Sequence, residues 1–215
     1  KDVVTGDFYW VYKNDKDQIF FTVADCTGHG IPGAFMSMIG NSLLNEIIIE
    51  NKTENTAHIL NNMRDQIIKS LKQKEGEGEN KDGMDIALCK LDVKKKIVEY
   101  SGAYNPLIHI SGDTVNHIKA DHQPVALYSG KMKPFSNHMI NVKEGDMLYL
   151  ASDGFSDQFG GEKGKKYMAS KFKKFLLSIS TLSCQEQKQA LKKELNDWKG
   201  KLEQIDDICI MGVKI

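Results

Sequence analysis

Four aspartates stand where apolar, strand-like runs begin or end: Asp7 in TGDFYWVY, Asp25 in IFFTVADCTGHG, Asp153 in MLYLASDGFSD and Asp206 in QIDDICIMGV. The runs Phe8 to Tyr12 and Ile19 to Val23 are aromatic and β-branched, which favours strands. The polar stretch Asn14 to Asp17 between them supplies a hairpin turn. Folding there brings Asp7 opposite Asp25. Two acids that face each other at one sheet edge repel, and a divalent cation held through oxygen ligands relieves that repulsion where strand ends run into glycine-rich loops. Asp153 ends a third strand and Asp206 starts a fourth, so antiparallel pairing places these two at a common edge as well. One such aspartate commonly does no more than cap a turn. Four in this pattern read as a carboxylate-lined site for hard metal ions.

The rest of the chain alternates blocks of helix and strand. Gly30 to about Glu50 reads as a helix, with Ala34, Phe35, Met36, Met38, Ile39, Leu43 and Leu44 at helical spacing; Ile47 to Ile49 suit helix or strand. Met36 and Met38 beside Phe35 read as core packing. A second helix begins at Thr53 or Asn55, with Ile59, Leu60, Met63, Ile67, Ile68 and Leu71 on one face. Lys74 to Gly83 (KEGEGENKDG) contains three glycines and no apolar residue, and reads as a loop long enough to act as a lid. Short strands are expected at Met84 to Asp92, Lys96 to Ser101, Leu107 to Ser111, Thr114 to Ile118 and Met147 to Ser152. Two helical patterns lie between Lys165 and Trp198, and a final strand runs from Ile208 to Ile215. Strands in blocks and helices in blocks specify an α+β fold.

At 215 residues the chain fits one domain with a substantial core. It holds 29 basic and 29 acidic side chains, so no global field draws it to nucleic acid or anionic lipid. No apolar run is long enough to span a bilayer. Cys26, Cys89, Cys184 and Cys209 form no C-x-x-C pair, and the histidines form no H-E-x-x-H, which argues against zinc and for free thiols in a reducing compartment. Lys1 enters a strand lead-in without an initiator methionine or signal peptide, which reads as a piece of a longer protein.

Three further features have competing readings. GHGIPG (Gly28 to Gly33) matches the dinucleotide fingerprint G-x-G-x-x-G, with Glu50 at a suitable distance for a ribose-binding acid. Against that, Asp25 directly precedes the glycines and would repel a pyrophosphate, and the strand arises from a hairpin. The glycines better suit close backbone approach to a metal-bound phosphate. His29 fits either a general acid for ester cleavage or a structural helix-entry residue. Lys163, Lys165, Lys166, Lys171, Lys173 and Lys174 fit a docking patch for an acidic group, though such a run is commonly a solvated helix face.

Taken together, GDFYW, ADCTGHGIPGAFMSMIG, DGMDIALCKLD, SDGFSDQFGG and QIDDICIMGV resemble, in order and spacing, the SpoIIE-type (RsbU-like) branch of the PPM metal-dependent serine/threonine protein phosphatases. The resemblance implies a four-layer αββα sandwich, two antiparallel β-sheets flanked by helices, over residues 1–215, with two Mg²⁺ or Mn²⁺ ions at one sheet edge. It implies that Asp25 bridges the ions, that the Cys26 carbonyl is a second ligand, that Asp153 and Asp206 complete the first metal, and that Asp7 reaches the metals through water. Asp207 becomes support beside Asp206, the choice of ligand between these two staying open, and Asp85 an acid for an additional metal. Relatives outside this branch carry a phosphate-gripping arginine near the first strand and a histidine directly after the Asp-Gly pair. Here Thr27 stands in that histidine's place, so the phosphate clamp and leaving-group acid are unassigned.

The expected function is hydrolysis of phosphoserine or phosphothreonine on a partner protein, of the kind of an anti-sigma-factor antagonist, by an output domain coupled to an upstream sensor. The expected location is cytoplasmic, in a parent protein that is soluble or membrane-anchored, with no nucleic-acid partner and no direct membrane insertion of this domain. A different class of reading is a metal-binding regulatory module with little turnover. A metal-dependent nuclease fits poorly with the neutral charge.

Overall fold

The computed structural model describes residues 5–28, 30–74 and 81–215. β1 (Phe8–Lys13) and β2 (Gln18–Cys26) form the expected hairpin, with Phe8 opposite Ala24 and Lys13 opposite Ile19. Asn14 fixes the turn, since its Oδ1 accepts from the backbone N–H groups of Lys16 and Gln18. Next come α1 (Gly30–Leu44), a π-helical turn (Asn45–Glu50) and α2 (Thr56–Ser70). β3 (Met84–Asp92), β4 (Ile97–Ala103), β5 (Leu107–Ser111), β6 (Thr114–Ile118), β7 (His138–Asn141) and β8 (Met147–Ala151) follow. The chain closes with α3 (Gly154–Asp157), the short strands β9 (Phe159–Gly160) and β10 (Lys165–Lys166), then α4 (Ala169–Ile179), α5 (Cys184–Lys199) and β11 (Ile210–Lys214).

Two main sheets result, in the orders β1-β2-β3-β4-β7 and β11-β8-β5-β6, with every strand pairing antiparallel. Alternation along the central strands generates three apolar interfaces and therefore four layers. Phe20 and Ala24 of β2, with Met84, Ile86 and Leu88 of β3, face α1 and α2. Phe21 and Val23, with Ala87 and Cys89, face Leu148 and Leu150 of the second sheet. Met147 and Tyr149, on the other side of β8, pack against Phe172, Leu176 and Ile179 of α4. This is the αββα sandwich expected from the sequence. Its antiparallel sheets exclude the dinucleotide-binding reading of GHGIPG, which requires parallel βαβ units.

One local expectation needs amendment. Phe35 and Met38 are not core residues but are 61% and 67% exposed, while Met36 is buried. Apolar residues surround α1, so spacing alone does not choose its buried face. Gly40 chooses it, because any Cβ there would sit 2.8 Å from Met84 and 2.9 Å from Phe8. The ambiguous Ile47 to Ile49 form part of the π-helical turn. Of the candidate lid, residues 75–80 lie outside the described residues.

A buried ion pair docks α2 onto the first sheet. Asn55 caps the helix by accepting from His58 N, and the N–H of Thr56 donates to Glu99 Oε1 at 2.9 Å. The other oxygen, Glu99 Oε2, meets Lys90 Nζ at 2.6 Å, with both side chains largely buried. Removing one partner of such a pair strands the other. Glu99→Ala should therefore destabilise the domain by about 3–5 kcal/mol in urea unfolding, and an unchanged midpoint would rule out this docking role.

Candidate metal centre

Strand register brings the acids of the first sheet together. Asp25 of β2 stands opposite Asp85 of β3, and one step past the Phe8–Ala24 pair Asp7 stands opposite Asp25. Three carboxylates thus lie side by side across three adjacent strands, an arrangement that costs energy when all are charged. The second sheet adds Asp153 just beyond β8, and Asp206 and Asp207 just before β11. Those two loops meet because β8 and β11 pair and because position 154 is glycine: a Cβ there would fall 1.9 Å from the Asp207 carbonyl oxygen.

Backbone contacts then lock the two sheets at this edge. Gly6 N donates to Asp207 Oδ2 at 3.3 Å, joining residues near opposite ends of the chain. A Cβ on Gly33 would sit 2.4 Å from the Gly28 carbonyl oxygen, so GHGIPG is a site of close backbone approach, as its composition suggests. Ser152 Oγ donates to Asp7 Oδ2 at 2.5 Å and accepts from Cys209 N at 3.0 Å. Asn105 Nδ2 donates to the Asp85 carbonyl oxygen at 3.0 Å, and Tyr100 OH donates to the Asn105 carbonyl oxygen at 2.7 Å.

The electrostatics follow from this crowding. Burial, then the charges of Asp7, Asp153, Asp206 and Asp85, push Asp25 up to about 8. Burial raises Asp7 to about 6; the Ser152 hydroxyl pulls the other way, while Asp207 and Asp206 add to the rise. Asp85 rises to about 7 through burial and the charge of Asp153. Asp153 is raised by burial, then by Asp157 and Asp206, against the opposing charge of Lys166. Asp25 is the hub, since four other acids act on it. Asp206 acts on Asp7, Asp25 and Asp153, while Asp207 acts on Asp7 and accepts from Gly6 N.

All-oxygen donors with surplus negative charge fit a hard divalent cation rather than zinc or copper. Among the described residues, no three acidic, thiol or imidazole side chains stand at coordinating distance. The thiols do not suit the role. Burial, then the Asp25 charge, raises the Cys26 thiol far above its ordinary value, and burial pushes Cys209 up to about 12. The Cys26 carbonyl oxygen lies against Gly6.

Several supporting residues escaped sequence reasoning. Ser152 and Gly154 flank Asp153 in the same ASDG segment, but their partners, Asp7 and Asp207, are far away in sequence. Thr27 uses its hydroxyl to accept from Gly83 N at 3.0 Å, and its N–H donates to Gly83 O at 3.0 Å. It locks the end of β2 to the residue before β3 and offers no imidazole-like acid. His29 lies outside the described residues.

A family model described as Stage II sporulation protein E (SpoIIE) matches residues 15–215. No curated protein matches the chain. Among solved structures, the SiaA-PP2C domain of Pseudomonas aeruginosa superposes with a TM-score of 0.88 at 28% identity, covering 100% of this chain and 82% of that one. The PP2C phosphatase domain of SpoIIE from Bacillus subtilis, solved with a fragment of its regulatory domain, gives 0.79 at 17% identity, covering 100% of this chain and 59% of that one. RsbX in complex with magnesium gives 0.65 at 15%, covering 98% of this chain and 88% of that one.

The raised acids predict an unusual pH dependence. An acid whose folded pKa exceeds its unfolded value of 3.8 stabilises the fold while protonated, and that contribution is lost as pH rises through about 6 for Asp7, about 7 for Asp85 and about 8 for Asp25. The metal-free domain should lose melting temperature between about pH 4 and about pH 8, and the increment from added Mn²⁺ should grow over the same window. Asp25→Asn should raise the metal-free Tm at about pH 8 by about 3–8 °C and remove most of the Mn²⁺ increment. A Tm that is flat with pH and indifferent to Mn²⁺ would refute the crowding.

Proposed function

The chain belongs to the SpoIIE family, and from that membership and the acid cluster we propose that it is a metal-dependent protein phosphatase, hydrolysing phosphoserine or phosphothreonine on a partner protein in bacterial signal transduction. The observation that carries the reading is the convergence of Asp7, Asp25, Asp85, Asp153 and Asp206 from both sheets on one edge, with Asp25 at its centre. In this reading Asp25 and the Cys26 carbonyl hold two divalent cations, Mn²⁺ or Mg²⁺, with Asp153 and Asp206 on the first and Asp7 acting through water. Of the adjacent pair, Asp206 is assigned as ligand by its position in the motif; each of the two has one oxygen engaged, Asp206 by Asp207 N and Asp207 by Gly6 N. Asp85 is placed to serve an additional ion.

When bound, the cations supply an acidified water nucleophile and neutralise charge on the phosphoryl oxygens. The chain's own residues do the rest. The raised acids exchange protons for cations, so loading is favoured above neutral pH. Ser152 fixes the orientation of Asp7, and Thr27 and Gly83 hold the loops beside Asp25. Cys26, its thiol kept protonated, provides no covalent nucleophile, and no phosphoenzyme is required.

The likeness to a domain solved with a fragment of its regulatory region supports an output domain governed by a sensor elsewhere in its protein, acting in the cytoplasm. The family supports a phosphorylated anti-sigma-factor antagonist-like protein as substrate. No helix among the described residues is long and apolar enough to cross a membrane.

Release of phosphate from a phosphothreonine peptide should require Mn²⁺ or Mg²⁺ and fall by at least about 100-fold in Asp153→Asn. Cation binding without turnover would mark a regulatory module instead, and failure to bind either cation would overturn the reading.

A further inference from the structure

We infer that Lys166 grips the phosphoryl group of the substrate, an inference that rests on the phosphatase reading above. A phosphate dianion entering a nest of carboxylates needs a positive donor besides the cations to fix its oxygens. Arginine is excluded. The sequence contains a single one, Arg64, which is buried in α2, donates to the Lys133 carbonyl and to Asn61, and stacks over Phe135.

The lysine run supplies the alternative, because the fold divides it. Lys171, Lys173 and Lys174 lie on α4, whereas Lys163, Lys165 and Lys166 lie in the β9–β10 hairpin. That hairpin is tied down on both sides of Lys166. Gly161 N donates to Trp198 O at 2.8 Å, Tyr167 N to Gln158 O at 3.0 Å, and Met168 N to Ser156 O at 2.8 Å. The Tyr167 ring is buried edge-on between Phe155 and Trp198. Successive strand side chains alternate, so with Tyr167 turned into the core the exposed Lys166 leaves on the other side.

There its Nζ meets Asp157 Oδ2 at 2.5 Å. Asp157 lies one helical turn after Asp153, its N–H donating to Asp153 O at 2.9 Å. Among the described residues, Lys166 is the one cation among the principal charges acting on Asp153. The side chain is 44% exposed, so Asp157 parks the ammonium without burying it. A lysine ammonium brings three N–H donors and a compact charge, enough to hold a phosphoryl oxygen at the rim of the acid cluster.

The test uses the Mn²⁺-loaded domain with inorganic phosphate as probe, by calorimetry and as a competitive inhibitor of phosphothreonine peptide hydrolysis. Lys166→Met should weaken phosphate binding about tenfold or more and raise KM in step, with a smaller change in kcat, while Tm and Mn²⁺ affinity stay unchanged. Lys166→Arg should recover most of the loss, and Lys174→Met, from the same run, should stay within about twofold of the parent. Asp157→Asn breaks the same ion pair but keeps the ammonium, and should hold phosphate affinity within about threefold. Phosphate affinity in Lys166→Met within about twofold of the parent, or an equal loss in Asp157→Asn, overturns the inference, as does a parent domain that binds no phosphate. If the parent binds phosphate through Lys166 but cleaves no peptide, the phosphatase reading fails and the phosphate grip stands.

Discussion

Crowding of like charge at one end of β2 is the constraint to which this structure answers. Asp7, Asp25 and Asp85 sit abreast on paired strands, and the second sheet presses Asp153 and Asp206 toward them. Like charges directly opposite in a sheet weaken it, and partial burial removes the water that would screen them. The fold withstands this through the three apolar interfaces of a four-layer sandwich and through loop backbones packed too closely for a Cβ at Gly33 or Gly154. Uptake of protons, or of cations, then relieves what the scaffold enforces. On the proposed reading, the surplus charge that weakens the free domain is what a divalent ion would relieve.

Sequence legibility followed the range of each interaction. The β1–β2 hairpin was readable because strand period, Asx turn and paired aspartates are local. β3 and β5 were readable for the same reason, being apolar runs between turn signals, and β6 (TVNHI) through the Gly112-Asp113 turn that precedes it. β7 was not, since His138–Asn141 is four residues of mixed polarity recruited by pairing with β4. The buried face of α1 was misjudged at Phe35 and Met38 because the deciding contact, Gly40 against Phe8 and Met84, joins three separate elements. The lysine run was unreadable in another way. Composition shows six cations in a row of neighbours, but only the fold shows that Lys166 pairs with Asp157, one turn after Asp153, and that Lys173 shares a pocket with Asp153.

Within the site, the acids were legible and their support was not. An aspartate at a strand end is visible in a pattern of residues. The hydroxyl of Ser152, which bridges Asp7 to Cys209 N, depends on β8 and β11 pairing across more than fifty residues. Asp206 and Asp207, neighbours in sequence with the same chemistry, take different partners: Asp207 N meets one oxygen of Asp206 and Gly6 N one oxygen of Asp207.

That last contact says when the site comes into being. Gly6 precedes the first strand and Asp207 precedes the last, so the bond between them closes a loop that spans nearly the whole chain. Loop-closure entropy makes such contacts late and slow to form. A chain with only the hairpin has Asp7 and Asp25, and one with only the first sheet adds Asp85, both without Asp153 and Asp206. On the proposed reading, cations discriminate between the assembled sandwich and any partial fold, because all five acids meet in the former alone. Structural completion and the gathering of the acids are in this chain the same event, seen from the backbone and from the carboxylates.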